Sequence, residues 1–521
     1  MPSTRNLLDG FKAVLASQLL RIGISAVITL LLTRVFLTPS EYGRLYLAIS
    51  VLGLALLVSQ LGIAKSTARY VTEYRERDPT RIPFIVRSMI LINGLTILVV
   101  SATVFLFRSR IAGLFGGDEL TALLSVGFLY IAFRTLNTYG YYLCQGFNEV
   151  DWSARQSVVT DVGTLVSMLL FLGLGMGATG ALLGYVSGYA LGAVFGLFAL
   201  FRLVSRIGVS SREDGPDTDT STEQGAADLA GDGRDDGRNA EDAAVSNLAL
   251  LRRILSYCVP LTVTSAAEIL YKRVDILLIG YFLTPVVVGY YTLAKQLTEF
   301  VTAPASSLGF ALSPSFGEYK SSGNLDRAAR VYETTLEYTL LCYLPAAVGI
   351  YLVADPAVRY VFGDGYLGAI PLVQILSVFV VLQAINRITN DTLDYLGRAR
   401  GRAVAKGGTA LLNFGLNLVV IPVYGAVGAT VATVGSYAIM LTVNLYLIDS
   451  ELPISRTQVG NRLGRVCAVA LVMAAVVSFS QRFVTDIPTL IGSVLLGVTT
   501  WTLLAVSMGL LDVDQLRTEL I

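Results

Sequence analysis

Long apolar runs follow one another along most of the chain and are separated by short polar segments. The runs reach the length of about 20 residues that a helix needs to cross a bilayer core about 30 Å thick. They are too long for barrel strands, and they lack the alternation of apolar and polar positions that a membrane β-barrel requires. Because a helix satisfies its own backbone in lipid, we predict an all-α polytopic membrane protein with about fourteen transmembrane helices. The predicted spans are 11–35, 42–63, 83–106, 120–143, 154–174, 178–203, 253–281, 286–312, 330–354, 367–393, 401–422, 426–448, 463–480 and 487–511.

The hydrophobic pattern occurs twice along the chain. The segment FLTPSEYGRLYLA, which begins at Phe36, returns as FLTPVVVGYYTLA at Phe282, and GATGALLGYVSGYA from Gly177 returns as GAVGATVATVGSYA from Gly425. Two matches in the same order, roughly 247 residues apart, indicate an internal duplication of about half the chain. An even number of helices per copy gives both copies the same orientation, so we predict two six-helix lobes related by a pseudo-two-fold axis along the membrane normal.

These observations predict four parts of the chain. An N-terminal six-helix lobe occupies residues 1–205, and a C-terminal six-helix lobe occupies residues 249–450. Between them, residues 206–248 form an acidic, disordered cytoplasmic linker, because Ser211 to Val245 carry eleven acidic residues against three arginines and few large apolar side chains. Residues 451–521 add two C-terminal transmembrane helices.

The composition is typical of a membrane protein and argues against several kinds of binding site. Hydrophobic residues make up 54% of the 521 positions, charged residues only 15%, and the mean hydropathy is +0.64. The chain contains no histidine, its four cysteines are scattered singly in apolar stretches, and no phosphate-binding G-x-x-x-x-G-K-[ST] loop occurs. We therefore predict no cofactor, no metal site and no nucleic-acid partner.

Lysine and arginine in the short loops give the orientation. Five of them lie in the loop after the second span and four after the tenth, whereas the loops after spans five, seven and eleven hold none. Basic loops remain in the cytoplasm, which predicts that the N-terminus, the linker and the C-terminus are cytoplasmic in a multi-pass protein of the cell membrane.

Ionisable residues inside the spans are the candidate functional residues. A charge at the centre of a membrane helix costs about 2.5–3.5 kcal/mol, so such residues tend to face a cavity or a partner. In the seventh span Glu268, Lys272 and Asp275 follow the spacing i, i+4, i+7 and share one face, and Arg387 begins the same spacing in the tenth span. Opposite charges on one face could also simply neutralise each other and fix helix packing.

A basic cavity between two lobes would bind an anionic group through bidentate arginine contacts. The candidate residues for binding a head-group phosphate or sugar are Arg21, Arg134, Arg273, Lys272 and Arg387. The candidate residues for coupling to an ion are Asp161, Glu268, Asp275 and Glu299.

Four segments resemble the oligosaccharide (polysaccharide) flippase family of the superfamily that also contains multidrug exporters and lipid II flippases. These segments are TRVFLTPSEYGRLYLA, LGIAKSTARYV, YCVPL and PSFGEYKSSGNLDRAARVY. The resemblance implies alternating access for a polyprenyl-phosphate-linked oligosaccharide that moves from the cytoplasmic to the outer face. It also implies cavity arginines, best matched by Arg21 and Arg273, and a groove for the lipid tail at spans thirteen and fourteen.

The expected partners are thus the polyprenyl-linked oligosaccharide, membrane lipids and glycosyltransferases of the same pathway, for cell-surface polysaccharide or glycoprotein assembly. A cation-coupled drug or metabolite exporter of the same fold is the nearest alternative. An integral-membrane glycosyltransferase or polymerase is an alternative of another class, disfavoured by the small outer loops; we expect no enzymatic activity.

Overall fold

The computed structural model describes residues 20–115, 117–213, 235–302 and 324–511. These residues form long helices joined by short turns, and no β-strand occurs among them. The predicted all-α class is therefore confirmed. Parts of the first and eighth predicted spans, of the acidic linker and of the motif that begins at Pro314 lie outside the described residues, as do the last ten positions.

Fourteen long helices can be followed in the described residues, besides four shorter 3₁₀ or π-helical segments. They are α1 (20–36, ending in the π-helical turn Leu31–Phe36), α2 (Pro39–Gln60), α3 (Ile63–Arg77), α4 (Ile82–Leu114), α5 (Asp118–Gly146), α6 (Val150–Gly173), α7 (Gly177–Glu213), α8 (Asp235–Phe282), α9 (285–302), α10 (Leu325–Pro356), α11 (Ile370–Tyr395), α12 (Ala399–Glu451), α13 (Arg456–Ser480) and α14 (Ile487–Ser507).

The helices follow the predicted spans closely, but they do not map one to one. Helix α12 carries two predicted spans, 401–422 and 426–448: the backbone is not helical at Gly425, and the chain folds back there, so that Asn413 Nδ2 and Ser436 Oγ on the two arms lie 3.0 Å apart. Within the described residues, ten helical segments are long and apolar enough to cross a membrane, or eleven if the bent helix α8 is counted as one span. The number fourteen for transmembrane helices remains a prediction, because spans one and eight reach beyond the described residues.

Apolar stripes on the helix surfaces explain why the molecule belongs in a bilayer. On α4, leucines at intervals of three to eight residues are 61–75% exposed, although they would be buried in a water-soluble protein: Leu91, Leu95, Leu98 and Leu106. Their spacing places them on one side of the helix, where acyl chains can surround them. The chain is therefore a multi-pass membrane protein.

Two compact units emerge from the contacts between residues. Unit A comprises Ala48–Leu270, and unit B comprises Tyr271–Ile521 together with the residues up to Leu47. The predicted lobes at 1–205 and 249–450 describe copies of a repeat rather than contacts, so they remain a prediction. The same holds for the linker, although the helical backbones of α7 and α8 extend into its two ends.

In unit A, glycines on one face of α7 allow close packing against α6. They recur every four residues: Gly184, Gly188, Gly192 and Gly196. A β-carbon at Gly184 would lie 2.7 Å from Met168 Cα, and one at Gly188 would lie 2.7 Å from Thr164 Cα. Small residues at this spacing bring membrane helices together, because lipid provides no hydrophobic force between them.

The duplication is visible in local structure as well as in sequence. Pro39 begins α2, and the equivalent Pro285 begins α9, where a missing N–H does no harm. Gly177 and Gly425, which open the second repeated motif, both adopt left-handed backbone angles, with φ of 53° and 61°. Equivalent glycines thus start equivalent helical segments in the two copies.

Candidate functional site

Asp275 is the most buried ionisable residue of the candidate set, and it lies in unit B. Its side chain is 1% exposed. Its carboxylate accepts hydrogen bonds from the Tyr291 hydroxyl at 2.8 Å, from Asn417 Nδ2 at 2.9 Å and from Thr433 Oγ1 at 3.2 Å. Helices α8, α9 and both arms of α12 therefore meet at one carboxylate, to which three neutral groups donate hydrogen bonds.

Lys295 of α9 supplies the positive charge nearest to Asp275. Its Nζ lies 3.7 Å from Asp275 Oδ2, its side chain is 15% exposed, and it donates a hydrogen bond of 2.9 Å to the Lys272 carbonyl. Helical spacing pairs Lys295 with Glu299 on its own helix, but the described structure turns it toward α8 instead. Glu299 is exposed.

A chain of buried polar side chains extends the site along α12. Asn417 Nδ2 also reaches Asn413 Oδ1 at 3.0 Å, and Asn413 Nδ2 donates to Ser436 Oγ at 3.0 Å. Asn417 Oδ1 is buried and accepts no hydrogen bond from the described residues. Sequence reasoning missed these residues, although Asn413 and Asn417 at i, i+4 in an apolar span signal a polar stripe.

A second polar cluster joins α11 to α12. Asn386 Nδ2 donates to the Tyr437 hydroxyl at 3.0 Å, and Asn444 Nδ2 donates to Asn386 Oδ1 at 2.8 Å. The centre of the Tyr437 ring lies 6.0 Å from that of Tyr271, which is next to Lys272 on α8. Buried amides placed this way fix the helices relative to one another.

The basic candidates of unit B differ in their surroundings. Arg273 is half-buried on α8 and has no hydrogen bond or ion pair within the described chain, whereas Lys272 and Arg21 are exposed. Arg387 is 52% exposed, and its Nε lies 3.8 Å from Asp391 Oδ2, one helical turn away. An exposed ion pair of this kind contributes little stability, so Arg387 remains accessible to another anion.

Arg134 is the basic candidate of unit A, and tyrosines surround it. Its Nη1 donates hydrogen bonds of 2.6 Å to the hydroxyls of both Tyr130 and Tyr189. The guanidinium carbon also lies 5.5 Å and 4.9 Å from the centres of these two rings. A guanidinium carries five N–H donors, so this arrangement orients the group and leaves further donors for an anion.

The acidic candidates besides Asp275 lie in more open surroundings. Asp161 is half-buried on α6, and Glu268 is exposed on α8. Arg134 and Asp161 belong to unit A with Glu268, while the other candidates belong to unit B. Their convergence on one chamber remains a prediction.

An apolar groove of about 350 Å³ lies among α9, α10, α13 and α14 of unit B. Its walls include Val301, Pro345, Gly349, Val477, Gly497 and Trp501. The Trp501 indole anchors α14 to α10 by donating a hydrogen bond of 3.0 Å to the Leu341 carbonyl. The groove is open and almost free of polar groups, so it suits an acyl or isoprenoid chain.

Comparison with known proteins gives a consistent picture. A family profile described as "Polysaccharide biosynthesis protein" matches residues 7–320, and the MatE profile matches residues 260–419. The probable low-salt glycan biosynthesis flippase Agl15 of Haloferax volcanii is 26% identical over 225 residues, which are 43% of this chain and 47% of that protein. The teichuronic acid biosynthesis protein TuaB of Bacillus subtilis is 29% identical over 179 residues, 34% of this chain and 35% of that protein. The chain thus spans about half the length of these curated relatives or less.

Solved structures show the same fold at low sequence identity. The lipid II flippase MurJ, in an inward closed conformation, gives a TM-score of 0.71 at 16% identity, over 95% of this chain and 97% of that chain. An inward-facing multidrug resistance MATE transporter gives a TM-score of 0.62 at 15% identity, over 82% of this chain and 94% of that chain. These likenesses confirm the fold class, and the profile match confirms the resemblance seen in the sequence. Since that profile covers more than half of the 521 residues, the chain belongs to the polysaccharide biosynthesis protein family.

Proposed function

We propose that this protein is a flippase that moves a polyprenyl-phosphate-linked oligosaccharide from the cytoplasmic to the outer face of the cell membrane by alternating access. The head group crosses through a hydrated path between the helices, while the isoprenoid tail stays in lipid. No covalent bond changes, so the protein acts as a transporter and not as an enzyme. The product serves cell-surface polysaccharide or glycoprotein assembly.

The apolar groove is the observation that carries this proposal. A lipid-linked substrate needs an apolar surface for its tail beside polar groups for its head, and unit B offers both. The groove at α13 and α14 suits the tail. Cationic side chains then hold the phosphate: Arg21, Lys272, Arg273 and Arg387 in unit B, with Arg134 in unit A.

The relatives support the same substrate class. One is named a glycan biosynthesis flippase, another a teichuronic acid biosynthesis protein, and the fold is that of a lipid II flippase. An integral-membrane glycosyltransferase or polymerase finds no such support. Glycosyltransferases are the expected partners, because they would supply the substrate at the cytoplasmic face.

The second candidate function is a cation-coupled drug or metabolite exporter. The MatE profile match over residues 260–419 and the likeness to MATE transporters favour it. An exporter of water-soluble compounds has no use for a tail groove. The two functions therefore differ in their need for α13 and α14.

Asp275 is the best candidate for coupling to a proton or a monovalent cation. Hard cations bind oxygen ligands, and the hydroxyls of Thr433 and Tyr291 lie beside its carboxylate. Asp161, Glu268 and Glu299 are less enclosed. We place the N-terminus, the linker and the C-terminus in the cytoplasm, as the basic loops suggest.

A flipping assay tests the proposal. The full-length protein is reconstituted in proteoliposomes with a fluorescent dolichyl-phosphate-linked oligosaccharide, and chemical quenching measures its transfer between leaflets. We expect transfer above empty vesicles, and a loss of at least about tenfold for Arg21→Ala combined with Arg273→Ala. Arg108→Ala combined with Arg110→Ala, two arginines near the end of α4, serves as the charge-matched control. Unchanged transfer in the double variant would refute the head-group role, whereas efflux of a soluble dye without lipid transfer would favour the exporter.

A further inference from the structure

A cavity of about 180 Å³ in unit A lies where two membrane helices are interrupted. Helix α2 ends at Gln60, the chain passes through left-handed Leu61 (φ 40°) and Gly62 (φ 67°), and α3 begins at once. Helix α8 bends by 41° between its segments Asn247–Ala266 and Glu268–Phe282. Interrupted helices commonly form the binding sites of membrane transporters.

The two interruptions are held against each other by close packing. A β-carbon at Gly62 would lie only 2.8 Å from Leu261 Cβ on α8. Ser66 Oγ on α3 donates a hydrogen bond of 3.1 Å to the Ile254 carbonyl, also on α8. The segments on either side of the cavity therefore pack directly against each other.

Polar side chains of several chemical types line this cavity. Gln60, Thr138 and Ser265 contribute an amide and two hydroxyls, and Gln60 Nε2 donates to Thr138 Oγ1 at 3.3 Å. Lys65 and Glu268 contribute one charge of each sign. Lys65 Nζ lies 5.5 Å from the centre of the Tyr142 ring, which forms the aromatic part of the wall. Both charged side chains are exposed, so the cavity is accessible.

This set of groups fits a polyhydroxylated ligand better than a phosphate. Each sugar hydroxyl both donates and accepts, and the wall offers a carboxylate acceptor, an ammonium donor and groups that do both. The Tyr142 ring gives the C–H face of a pyranose a surface to stack on. A phosphate would face the Glu268 carboxylate, and like charges repel. The volume is below the 300–1,000 Å³ of typical small-molecule sites, which suits one ring rather than a whole oligosaccharide.

We propose that this cavity is a glycosyl subsite that binds one sugar ring of the lipid-linked head group. The inference rests on the proposed flippase function and assigns recognition of the sugar to Gln60, Tyr142 and Glu268. Recognition of the phosphate is left to the arginines discussed above. The protein thus distinguishes a loaded lipid carrier from an empty one.

Binding to the full-length protein in lipid nanodiscs tests this division. The probes are dolichyl phosphate and dolichyl phosphate bearing glucose, mannose or N-acetylglucosamine. We expect at least one glycosylated lipid to bind about tenfold more tightly than dolichyl phosphate, as about two added hydrogen bonds would give. Glu268→Gln and Tyr142→Ala should each remove most of that difference and leave the dissociation constant for dolichyl phosphate unchanged. Tyr142→Phe should retain it, because the ring remains, and so should Gln145→Ala, an exposed polar residue of the same helix.

The outcomes separate the two proposals. If Glu268→Gln and Tyr142→Ala bind dolichyl phosphate normally and keep the full preference for the glycosylated lipid, the subsite is refuted and the flippase proposal stands. The same follows if the unmodified protein binds all four lipids equally. If it binds none of them, the proposed function fails, and the subsite fails with it. Binding of dolichyl phosphate also reports that each variant is folded.

Discussion

Gly43 and Gly289 occupy equivalent positions in the two copies of the duplicated motif, and each packs on the backbone of the other copy. A β-carbon at Gly43 would overlap the Pro285 carbonyl and lie 2.8 Å from the Gly289 nitrogen. A β-carbon at Gly289 would overlap the Pro39 carbonyl and lie 3.4 Å from the Gly43 nitrogen. Such reciprocity is the mark of a local two-fold contact, in which the same patch meets itself. The beginnings of α2 and α9 are thus joined without intervening side chains.

Substitution of either glycine should separate α2 from α9. We expect Gly43→Ala and Gly289→Ala each to lower the free energy of unfolding by about 1–3 kcal/mol, because a methyl group would collide with backbone that cannot rotate away. Thermal unfolding of the detergent-solubilised protein measures the effect. Gly94→Ala is the control, since no neighbouring atom lies within 4 Å of its new methyl group. Equal melting temperatures for all three variants would contradict the packing described here.

Substitutions on the glycine face of α7 should destabilise the protein to a similar extent. Gly188→Ala would place a methyl group 2.7 Å from Thr164 Cα on α6, so the helices must move apart. A loss of about 1–3 kcal/mol in unfolding free energy is expected. Limited proteolysis and thermal unfolding check it, with Gly113→Ala on α4 as the matched change in open space. A stabilised Gly188→Ala variant would show that α6 and α7 adapt easily.

The pair formed by Asp275 and Lys295 should show strong energetic coupling. Lys295→Met removes the cation 3.7 Å from a carboxylate that is 1% exposed, and we expect a loss of about 3–5 kcal/mol, toward the lower end because Lys295 is itself 15% exposed. Asp275→Asn is isosteric and should lower the free energy of unfolding by less than Lys295→Met does. The double variant should be more stable than Lys295→Met alone, since no buried charge then remains uncompensated.

A double-mutant cycle on unfolding in detergent gives the coupling energy. Lys295→Met combined with Glu299→Gln is the matched control, because Glu299 is the alternative partner by helical spacing. Additive effects for Asp275 and Lys295, or coupling to Glu299 instead, would contradict the contact across α8 and α9.

The orientation of Arg134 should depend on two hydroxyl groups. Tyr130→Phe and Tyr189→Phe each remove an acceptor 2.6 Å from Nη1 while keeping the ring. Hydrogen bonds to charged groups contribute about 1.5–3 kcal/mol, and we expect losses of that order in unfolding free energy. Tyr141→Phe on the same helix is the control. If both variants have the melting temperature of the unmodified protein, other groups hold Arg134 in place.

The sequence predicted the class of fold well because its main signals are local. Apolar runs of membrane length and a repeated motif need no knowledge of neighbours, so α4, α5, α6 and α11 fall where the pattern places them. Gly425 is not helical and lies between the predicted spans 401–422 and 426–448, so the two arms of α12 also fall where the pattern places them.

The contacts between helices could not be predicted from the sequence. Spacing on α8 places Glu268, Lys272 and Asp275 on one face, but it cannot tell that only Asp275 is enclosed. Burial of Asp275 depends on α9, which is the next helix, and on α12, which is distant in the chain. The roles of Asn413 and Asn417 depend on the same contacts. Asn417 donates to Asp275 on α8, and Asn413 donates to Ser436 on the other arm of α12.

The apolar groove offers the sharpest separation of lipid transport from export of soluble compounds. Gly349 on α10 lines the groove, and a side chain there would meet no protein atom within 4 Å of its β-carbon. Gly349→Leu should therefore fold normally while it fills part of the 350 Å³ volume. Each methylene of a tail displaced from the groove loses about 0.8 kcal/mol of burial, so affinity should fall steeply for a long polyprenyl phosphate.

We expect dolichyl phosphate to bind at least about tenfold more weakly to Gly349→Leu, whereas geranyl phosphate, whose tail is too short to fill the groove, should bind as before. Gly349→Ala, which adds one methyl group, is the graded control, and competition binding in nanodiscs is the measurement. Equal weakening for both lipids would mean that the substitution disturbs head-group recognition, and no weakening for either would place the tail elsewhere on the protein surface.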